Sequence, residues 1–245
     1  MVKFYSSNYS YDYSFPAVSL AYFLRYPNPY SRHVSSTDTI SRSFDPVTQR
    51  LTTVRLHLKR SRLPPAVLKF LPKSSSKSDS ADGRAESFIL ETSVVDVRQG
   101  WMEAESRNLD WNNVLSVIER HRYSRPAVDA ALGDMQNDDS TDVDVSVTLK
   151  SRIGEQLRKR RQRWGEQATA TSVAGGAEEE PVKQGWFASW SSSAVRSAVE
   201  SISLQRTERS QPKAQQGMSV VLSRLRHGGI QEVLEGMKAD REVVV

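Results

Sequence analysis

Two hydrophobic periodicities divide the chain into an extended part and a helical end. Runs rich in Val, Ile, Thr, Tyr or Phe with a period of two begin near residues 2, 33, 50, 87, 101, 114 and 143. Because strand side chains alternate between two faces, seven such runs predict a large antiparallel sheet. A short apolar stretch at residues 17–23 follows Pro16 and predicts a helix. That helix ends near Arg25, because the prolines that follow cannot continue it.

The alternation is clearest in two of the predicted strands. In residues 51–59 one face carries Thr52, Val54, Leu56 and Leu58, and the other carries Thr53, Arg55, His57 and Lys59. This is the pattern of one arm of a half-buried hairpin. Residues 143–149 alternate in the same way and are predicted as the last strand.

Helical spacing returns near the end of the chain. Apolar residues at i, i+3, i+4 and i+7 occur twice, as Met218, Val221, Leu222 and Leu225 and as Ile230, Val233, Leu234 and Met237. Pro212 is expected to interrupt the helix before the first set, and Gly228-Gly229 is expected to end it. The outline is therefore α+β, with helices packed on a large antiparallel sheet.

Two segments break these patterns. Residues 73–84 are rich in Ser, Asp and Lys and predict a flexible loop. Residues 150–184 begin strongly basic and become small and acidic, which predicts an insert. We therefore expect one domain over residues 1–227 that contains both segments, and a short helical tail at residues 228–245.

Composition narrows the classes of function. The chain has 245 residues, of which 38% are apolar, enough for one substantial core. Its 34 Lys and Arg against 29 Asp and Glu give a net charge of +5, which allows acidic lipids or nucleic acid as partners. The absence of cysteine excludes thiol catalysis, disulfides and cysteine metal sites. No stretch approaches the roughly 20 apolar residues of a membrane-spanning helix, and the first 24 residues suit neither a secretory signal nor an arginine-rich presequence.

The sequence offers little on which an enzyme could be built. Its histidines, at 33, 57, 121 and 227, lack the paired helical spacing of a metal site. Glycine-rich phosphate loops and the Gly-x-Ser-x-Gly elbow are absent. Three features remain: an arginine after an apolar helix, basic residues at strand ends, and an apolar patch. These features suit the binding of an anionic amphiphile. The planar guanidinium of Arg can donate hydrogen bonds to two phosphate oxygens, and acyl chains bind in a dry apolar cleft. We therefore expect a binding protein without metal or cofactor rather than an enzyme.

Three short motifs lie close together near the start of the chain: Phe-Leu-Arg-Tyr-Pro-Asn-Pro-Tyr-Ser at residues 23–31, His-Val at 33–34 and Asp-Thr-Ile-Ser-Arg at 38–42. They closely resemble the opening of the PRELI family of mitochondrial intermembrane-space lipid-transfer proteins. Weaker matches lie at residues 52–59, 63–64, 91–96, 107–110 and 216–222. The resemblance implies a START-like fold, in which a seven-stranded antiparallel sheet, a long C-terminal helix and short helices enclose a lipid cavity.

The resemblance also implies which residues bind the cargo. It assigns the phosphate headgroup to Arg25, with His33 and Lys59 beside it and Arg196 on the long helix. It assigns a membrane-facing lid to Leu63, Pro64, Val67, Leu68, Phe70 and Leu71. Without the resemblance, Arg25 is better explained as a helix cap and Lys59 as a solvated charge at a strand end. The apolar patch could likewise be ordinary core at the sheet edge.

From the resemblance we expect a non-enzymatic carrier that moves phosphatidic acid between the mitochondrial outer and inner membranes and supports cardiolipin synthesis. The sequence motif at residues 25–31 looks most like that of the phosphatidic-acid branch of the family, and phosphatidylserine is the alternative cargo. Known members form a heterodimer with a small twin-cysteine-motif chaperone of the intermembrane space, where they associate peripherally with the inner membrane. The rival from another class is a nucleic-acid or protein-binding module that uses the basic run at residues 158–163.

Overall fold

The computed structural model describes residues 2–62, 84–112, 114–126, 139–152 and 192–242. Its elements in chain order are β1 (Val2–Tyr11), α1 (Phe15–Phe23), β2 (Val34–Asp45), β3 (Arg50–Arg62), β4 (Arg84–Asp96), β5 (Trp101–Asn108), β6 (Leu115–Ser124), β7 (Thr141–Ser151) and α2 (Ser192–Glu242). The predicted α+β class, with a seven-stranded antiparallel sheet and a long C-terminal helix, is confirmed.

All seven strands form one antiparallel sheet. Their order is β1-β7-β6-β5-β4-β3-β2, so that β2 to β7 run as a meander and β1 pairs with β7. The β1–β7 register extends from Val2 opposite Lys150 to Tyr11 opposite Thr141. Because β1 and β2 are the two edge strands, the segment that contains α1 must connect one edge of the sheet with the other. The residues that follow α1 therefore lie against β2 and β3.

One apolar core fills the space between the inner face of the sheet, α1 and α2. The last strand contributes its alternating Val143, Val145, Val147 and Leu149, each no more than 2% exposed. The first helix buries Phe15, Val18, Ala21 and Tyr22, and α2 buries Met218, Val221 and Leu222. The predicted strand at residues 143–149 and the predicted apolar stripe of the long helix are confirmed.

The polar face of β3 is its buried face. Thr53, Arg55 and His57 point inward and are at most 3% exposed, whereas Val54, Leu56 and Leu58 are only partly buried on the outer face. A buried guanidinium needs a counter-ion, and the register places Glu91 of β4 directly opposite Arg55. The inner face of these strands is therefore built for polar contacts rather than for core packing alone.

The long helix corrects the prediction for Pro212 and agrees with the one for Gly228-Gly229. Pro212 lies inside α2 without ending it, and the only non-helical backbone angles are at Gly228 and Gly229. Gly229 has a φ of 64°, a left-handed conformation that glycine adopts without a steric penalty. Beyond this kink the segment turns back, since Arg224 forms an ion pair with Asp240 at 2.7 Å. The predicted interruption at Pro212 is wrong because a proline removes one helical hydrogen bond, and the packing of the flanking turns outweighs that loss.

The apolar spacing after the kink also needs a correction. Val233 is fully buried and Met237 packs against the core, but Ile230 and Leu234 are 53% and 43% exposed. One narrow face of this last segment packs against the rest of the protein. The helical spacing of its four apolar residues therefore predicted a wider buried face than the structure has. No helix in the described part of the chain is long and apolar enough to span a membrane.

Several predicted features lie outside the described residues. They are the loop at residues 73–84 up to the start of β4, the insert at 150–184 beyond residue 152, and the lid residues Leu63, Pro64, Val67, Leu68, Phe70 and Leu71. The basic run at residues 158–163 is also outside. The domain boundary at residue 227 and the role of these segments remain predictions.

Candidate functional site

A small cavity of about 50 Å³ lies between the inner face of the sheet and the two helices. Its walls are polar and aromatic. They include the tyrosines Tyr9, Tyr11, Tyr22, Tyr26 and Tyr123, the charged residues Arg25, Lys59, Glu91 and Glu119, and the histidines His57 and His121. A space of this size holds a few water molecules or one phosphate group, but no acyl chain. The dry apolar cleft expected for acyl chains is therefore not what these residues enclose.

A buried ion cluster forms one wall of the cavity, with Glu91 at its centre. Arg25 Nη2 donates to Glu91 Oε2 at 2.5 Å, and Arg55 Nε donates to Glu91 Oε1 at 2.9 Å. The two guanidiniums also donate to carbonyls in the last turn of α1, Arg25 to Tyr22 at 3.0 Å and Arg55 to Phe23 at 3.2 Å. Those carbonyls have no partner within a helix, and the end of α1 carries the negative pole of its dipole. The cluster thus ties the end of α1 to β3 and β4.

Electrostatics keep the central pair of this cluster, Glu91 and Arg25, ionised. Burial acts to raise the pKa of Glu91, but the charge of Arg25, the contact with His57 and the charge of Arg55 hold it well below its usual value. Burial acts to lower the pKa of Arg25, and the carboxylate of Glu91 holds it well above its usual value. The wall therefore carries a guanidinium paired with a carboxylate, and Arg55 contacts that carboxylate from outside the cavity lining.

A second carboxylate, Glu119, lies on the wall formed by β6. Its Oε1 accepts a hydrogen bond from Gln211 Nε2 of α2 at 2.7 Å and lies 2.8 Å from His121 Nε2. Burial acts to raise its pKa, but the hydrogen bond from His121, its charge and the charge of Lys59 leave the pKa far below the usual value. Glu119 is therefore ionised, and it connects the long helix to the sheet at the edge of the cavity.

Tyrosines surround the arginine that enters from α1. The guanidinium carbon of Arg25 lies 3.7 Å from the ring centre of Tyr22 and 4.7 Å from that of Tyr26. Burial raises the pKa of Tyr22, and burial together with the negative charges that Tyr9 and Tyr22 would carry raises that of Tyr123. Tyr22 and Tyr123 are therefore neutral, and the ring faces of Tyr22 and Tyr26 favour a cation without adding a counter-charge.

The Tyr-Pro-Asn-Pro-Tyr motif after α1 is fixed against the long helix. Asn28 donates to the carbonyl oxygen of Arg25 and accepts a hydrogen bond from the Tyr30 amide at 2.9 Å. A side chain at Gly217 of α2 would place its Cβ 2.7 Å from Asn28 Oδ1, so this crossing requires a glycine. The motif therefore sets the position of Arg25 through packing, in addition to any direct role in binding.

The structure brings together only part of the predicted site. Arg25 and Lys59 both line the cavity, and both are partly buried. The side chain of His33 is exposed and does not line it; its backbone carbonyl accepts a hydrogen bond from the Arg60 amide at 2.7 Å. The side chain of Arg196 lies outside the described residues.

Other members of the site have no prominent signal in the sequence. Arg55 and His57 belong to an alternating strand, and Glu91 and Glu119 are single acidic residues within strands. The basic residues at alternate positions of β3, Arg55, His57 and Lys59, are the one sign in the sequence, and only the register shows that this face meets Glu91. Within the described part of the chain, no three side chains of the kinds that bind metals come together.

Comparison with known proteins identifies relatives. The model of the PRELI-like family matches residues 16–167. Protein UPS1, mitochondrial, from Saccharomyces cerevisiae is 40% identical over 123 residues, 50% of this chain and 64% of the relative. The ups1 homolog of Schizosaccharomyces pombe is 39% identical over 110 residues, which are 45% of this chain and 57% of the relative. Human PRELI domain-containing protein 1, mitochondrial, is 31% identical over 123 residues, which are 50% of this chain and 52% of the relative.

The matched stretch thus spans between 52% and 64% of the length of these three relatives. Among solved structures, the Zhui aromatase/cyclase from Streptomyces sp. R1128 aligns over 94% of this chain and 100% of its own, with a TM-score of 0.46 and 8% identity. The protein Ara h 8.0201 aligns over 91% of this chain and 99% of its own, with a TM-score of 0.40 and 12% identity. The family match rests on the sequence, and the fold on the sheet and helices described above.

Proposed function

Since the chain belongs to the PRELI-like family, we propose that it is a non-enzymatic carrier of phosphatidic acid between the outer and inner mitochondrial membranes. The observation that supports this most directly is the enclosed cavity with Arg25 and Lys59 in its wall. A phosphate removed from water needs fixed positive charge and hydrogen-bond donors, and a planar guanidinium beside an ammonium supplies both. Delivery of this lipid would support cardiolipin synthesis.

The cavity wall offers an anion two cations, Arg25 and Lys59, which stand against the carboxylates Glu91 and Glu119. Glu91 is also paired with Arg55, a guanidinium outside the cavity lining, so that the surrounding charge amounts to three cations and two carboxylates when the histidines are left aside. Most of this positive charge is already neutralised within the protein. We infer that the headgroup is held firmly enough for extraction from a membrane but is not trapped, as a carrier that must release its cargo requires.

The size of the cavity bears on which phospholipid enters. The headgroup of phosphatidic acid ends at the phosphate, whereas that of phosphatidylserine continues into a serine with an ammonium and a carboxylate. Glu119 offers that ammonium a partner, so phosphatidylserine is the alternative cargo. A cavity of about 50 Å³ favours the smaller headgroup. The acyl chains do not fit into this space. Either α2 separates from the sheet to admit them, or they bind to a part of the protein that the structure does not describe.

The proposed location and partner follow from the relatives and from the sequence resemblance. Two of the relatives above are named mitochondrial, and we propose the intermembrane space as the location, with peripheral association at the inner membrane. We propose a small twin-cysteine-motif chaperone as the partner, on the sequence resemblance alone. Co-purification of the tagged chain with such a partner from the intermembrane space would test both proposals.

Transfer of fluorescent phosphatidic acid between liposomes tests the function. The Arg25→Lys and Lys59→Gln variants should each transfer at least about tenfold more slowly, because a hydrogen bond to a charged group contributes about 1.5–3 kcal/mol. The matched control is Arg122→Gln, which removes a half-exposed arginine from the outer face of the same sheet and should leave transfer unchanged. Full transfer rates in both site variants, with native circular dichroism, would contradict the proposal. Faster transfer of phosphatidylserine would instead select the alternative cargo.

A further inference from the structure

His57 is a buried histidine in the cavity wall that the proposed carrier function does not yet use. His57 lies on the inner face of β3 and is 1% exposed. Its Nδ1 lies 2.9 Å from Thr37 Oγ1 of β2, and the ring of Tyr26 packs against it edge to face, with ring centres 5.5 Å apart. These contacts hold the imidazole in one orientation on the wall of the cavity.

The other ring nitrogen has no hydrogen-bond partner among the described residues. Glu91 Oε2 is 3.3 Å from His57 Nε2, but outside hydrogen-bond geometry, and it already accepts from Arg25. A buried nitrogen without a partner is costly to a folded protein, so such positions call for an explanation. Here the nitrogen belongs to a ring that borders the empty space between Arg25 and Lys59.

We propose that His57 is a third headgroup-binding residue, whose Nε2 donates a hydrogen bond to a phosphate oxygen of the cargo and takes up a proton when the phosphate enters. This inference rests on the proposed function and specifies its chemistry: the ligand is a phosphomonoester. Thr37 can donate its hydroxyl proton to Nδ1, which leaves the proton of the neutral ring on Nε2. A phosphate oxygen in the cavity then completes the unfilled hydrogen bond, and the proton taken up on binding goes to Nδ1, with the Thr37 hydroxyl turning to accept it.

Proton uptake follows from the charges that face the ring. In the empty site, burial lowers the pKa of His57, the Glu91 carboxylate opposes this, and the charges of Arg25 and Arg55 add to the lowering. A phosphate brings up to two further negative charges into contact with the imidazole. The Nε2 side of the imidazolium then faces two anions, Glu91 and the phosphate, which favours the charged ring. Binding should therefore become tighter as the pH falls toward 6.

The experiment uses the full chain and short-chain lipids. Dihexanoyl phosphatidic acid is titrated into the protein while the histidine ring signals are followed by nuclear magnetic resonance, with inorganic phosphate and dihexanoyl phosphatidylcholine as separate probes. The signals of His57 should shift and show protonation with phosphatidic acid and not with phosphatidylcholine. A response to inorganic phosphate alone would locate recognition in the phosphate rather than in the glycerol backbone.

Two substitutions separate binding from protonation. His57→Leu removes the donor and should weaken binding about tenfold, which corresponds to ~1.4 kcal/mol. His57→Gln keeps a neutral donor, so it should bind more tightly than His57→Leu but lose the tightening between pH 8 and 6 that the wild type shows beyond the titration of the lipid itself. The matched control is His227→Gln, on the exposed side of α2. If His57→Leu does not fold, His57→Gln and the resonance shifts of the wild type still decide the question.

The outcomes distinguish the inference from the function on which it rests. If the wild type binds phosphatidic acid and Lys59→Gln weakens binding, but both His57 variants match the wild type at every pH, the carrier function stands and the role of His57 is refuted. If the wild type binds no phosphatidic acid at all, both proposals fail. Calorimetry in buffers of different ionisation enthalpy provides an independent count of the protons taken up.

Discussion

Replacing Glu91 by Gln should show how much of the fold depends on the buried ion cluster. Glu91 is 2% exposed and is contacted by two guanidiniums, of which Arg55 is 3% exposed and Arg25 is 16% exposed. The amide keeps the shape of the side chain but leaves two buried cations without a counter-ion. Breaking a buried ion pair from one side costs about 3–5 kcal/mol, because the remaining charge stays desolvated. For a domain of this size that corresponds to a drop of about 6–20 °C in Tm.

The pH dependence gives the prediction a sign that can be checked. The folded-state pKa of Glu91 lies well below its unfolded value, so its contribution is fully present above the unfolded pKa and is lost as the pH falls toward the folded one. The difference in unfolding free energy between the wild type and Glu91→Gln should therefore be constant from pH 7 to about pH 5 and shrink in stronger acid. Phosphate should stabilise the variant more than the wild type, since it can replace the missing anion.

Urea denaturation followed by circular dichroism measures these differences. The matched control is Glu103→Gln, whose carboxylate is 53% exposed and pairs with Arg122 on the outer face of the same sheet. An exposed pair contributes at most about 1 kcal/mol, so this variant should unfold close to the wild type. If Glu91→Gln also lowered the free energy of unfolding by less than about 1 kcal/mol, the cluster would not be the buried system of paired charges inferred from these contacts.

Two further predictions concern α2. Val233→Ala should lower the free energy of unfolding by about 1.5–3 kcal/mol, because Val233 is fully buried. Ile230→Ala should have little effect, because Ile230 is 53% exposed. Equal losses in a denaturation experiment would show that the chain after the kink packs differently. The second prediction tests whether α2 must leave the sheet for acyl chains to enter. Cysteines can be placed at Gln211 and Glu119, because the chain has no cysteine of its own, and joined by a cleavable cross-linker. The cross-link should stop lipid transfer, and its cleavage should restore transfer to the rate of the unlinked double variant. Equal transfer in the linked and cleaved forms would mean that the cargo enters without this movement.

The family motif and the buried cluster differ in how they could be found. The stretch at residues 23–31 is a continuous motif, and it is enough by itself to indicate Arg25. The partners of that arginine come from strands far along the chain, and Glu91 lies 66 residues away. The match at residues 52–59 includes Arg55 and Lys59, but the resemblance assigns a binding role to Lys59 and none to Arg55 or His57 on the same face of β3. The neighbours of these two residues depend on the register of β3 against β2 and β4, which no local pattern specifies.

The sequence by itself determined the seven strands, the α+β class and the family, because periodicity, turn residues and a contiguous motif are local properties. Only the tertiary structure decided which face of β3 is buried, that α2 continues through Pro212, and that the cavity is small, polar and lined with ion pairs. The physical reason is that alternation gives two faces but not their burial: a charged face goes inward when the neighbouring strand supplies its counter-charge. That pairing is a property of the sheet as a whole, and it brings together residues that the sequence keeps apart.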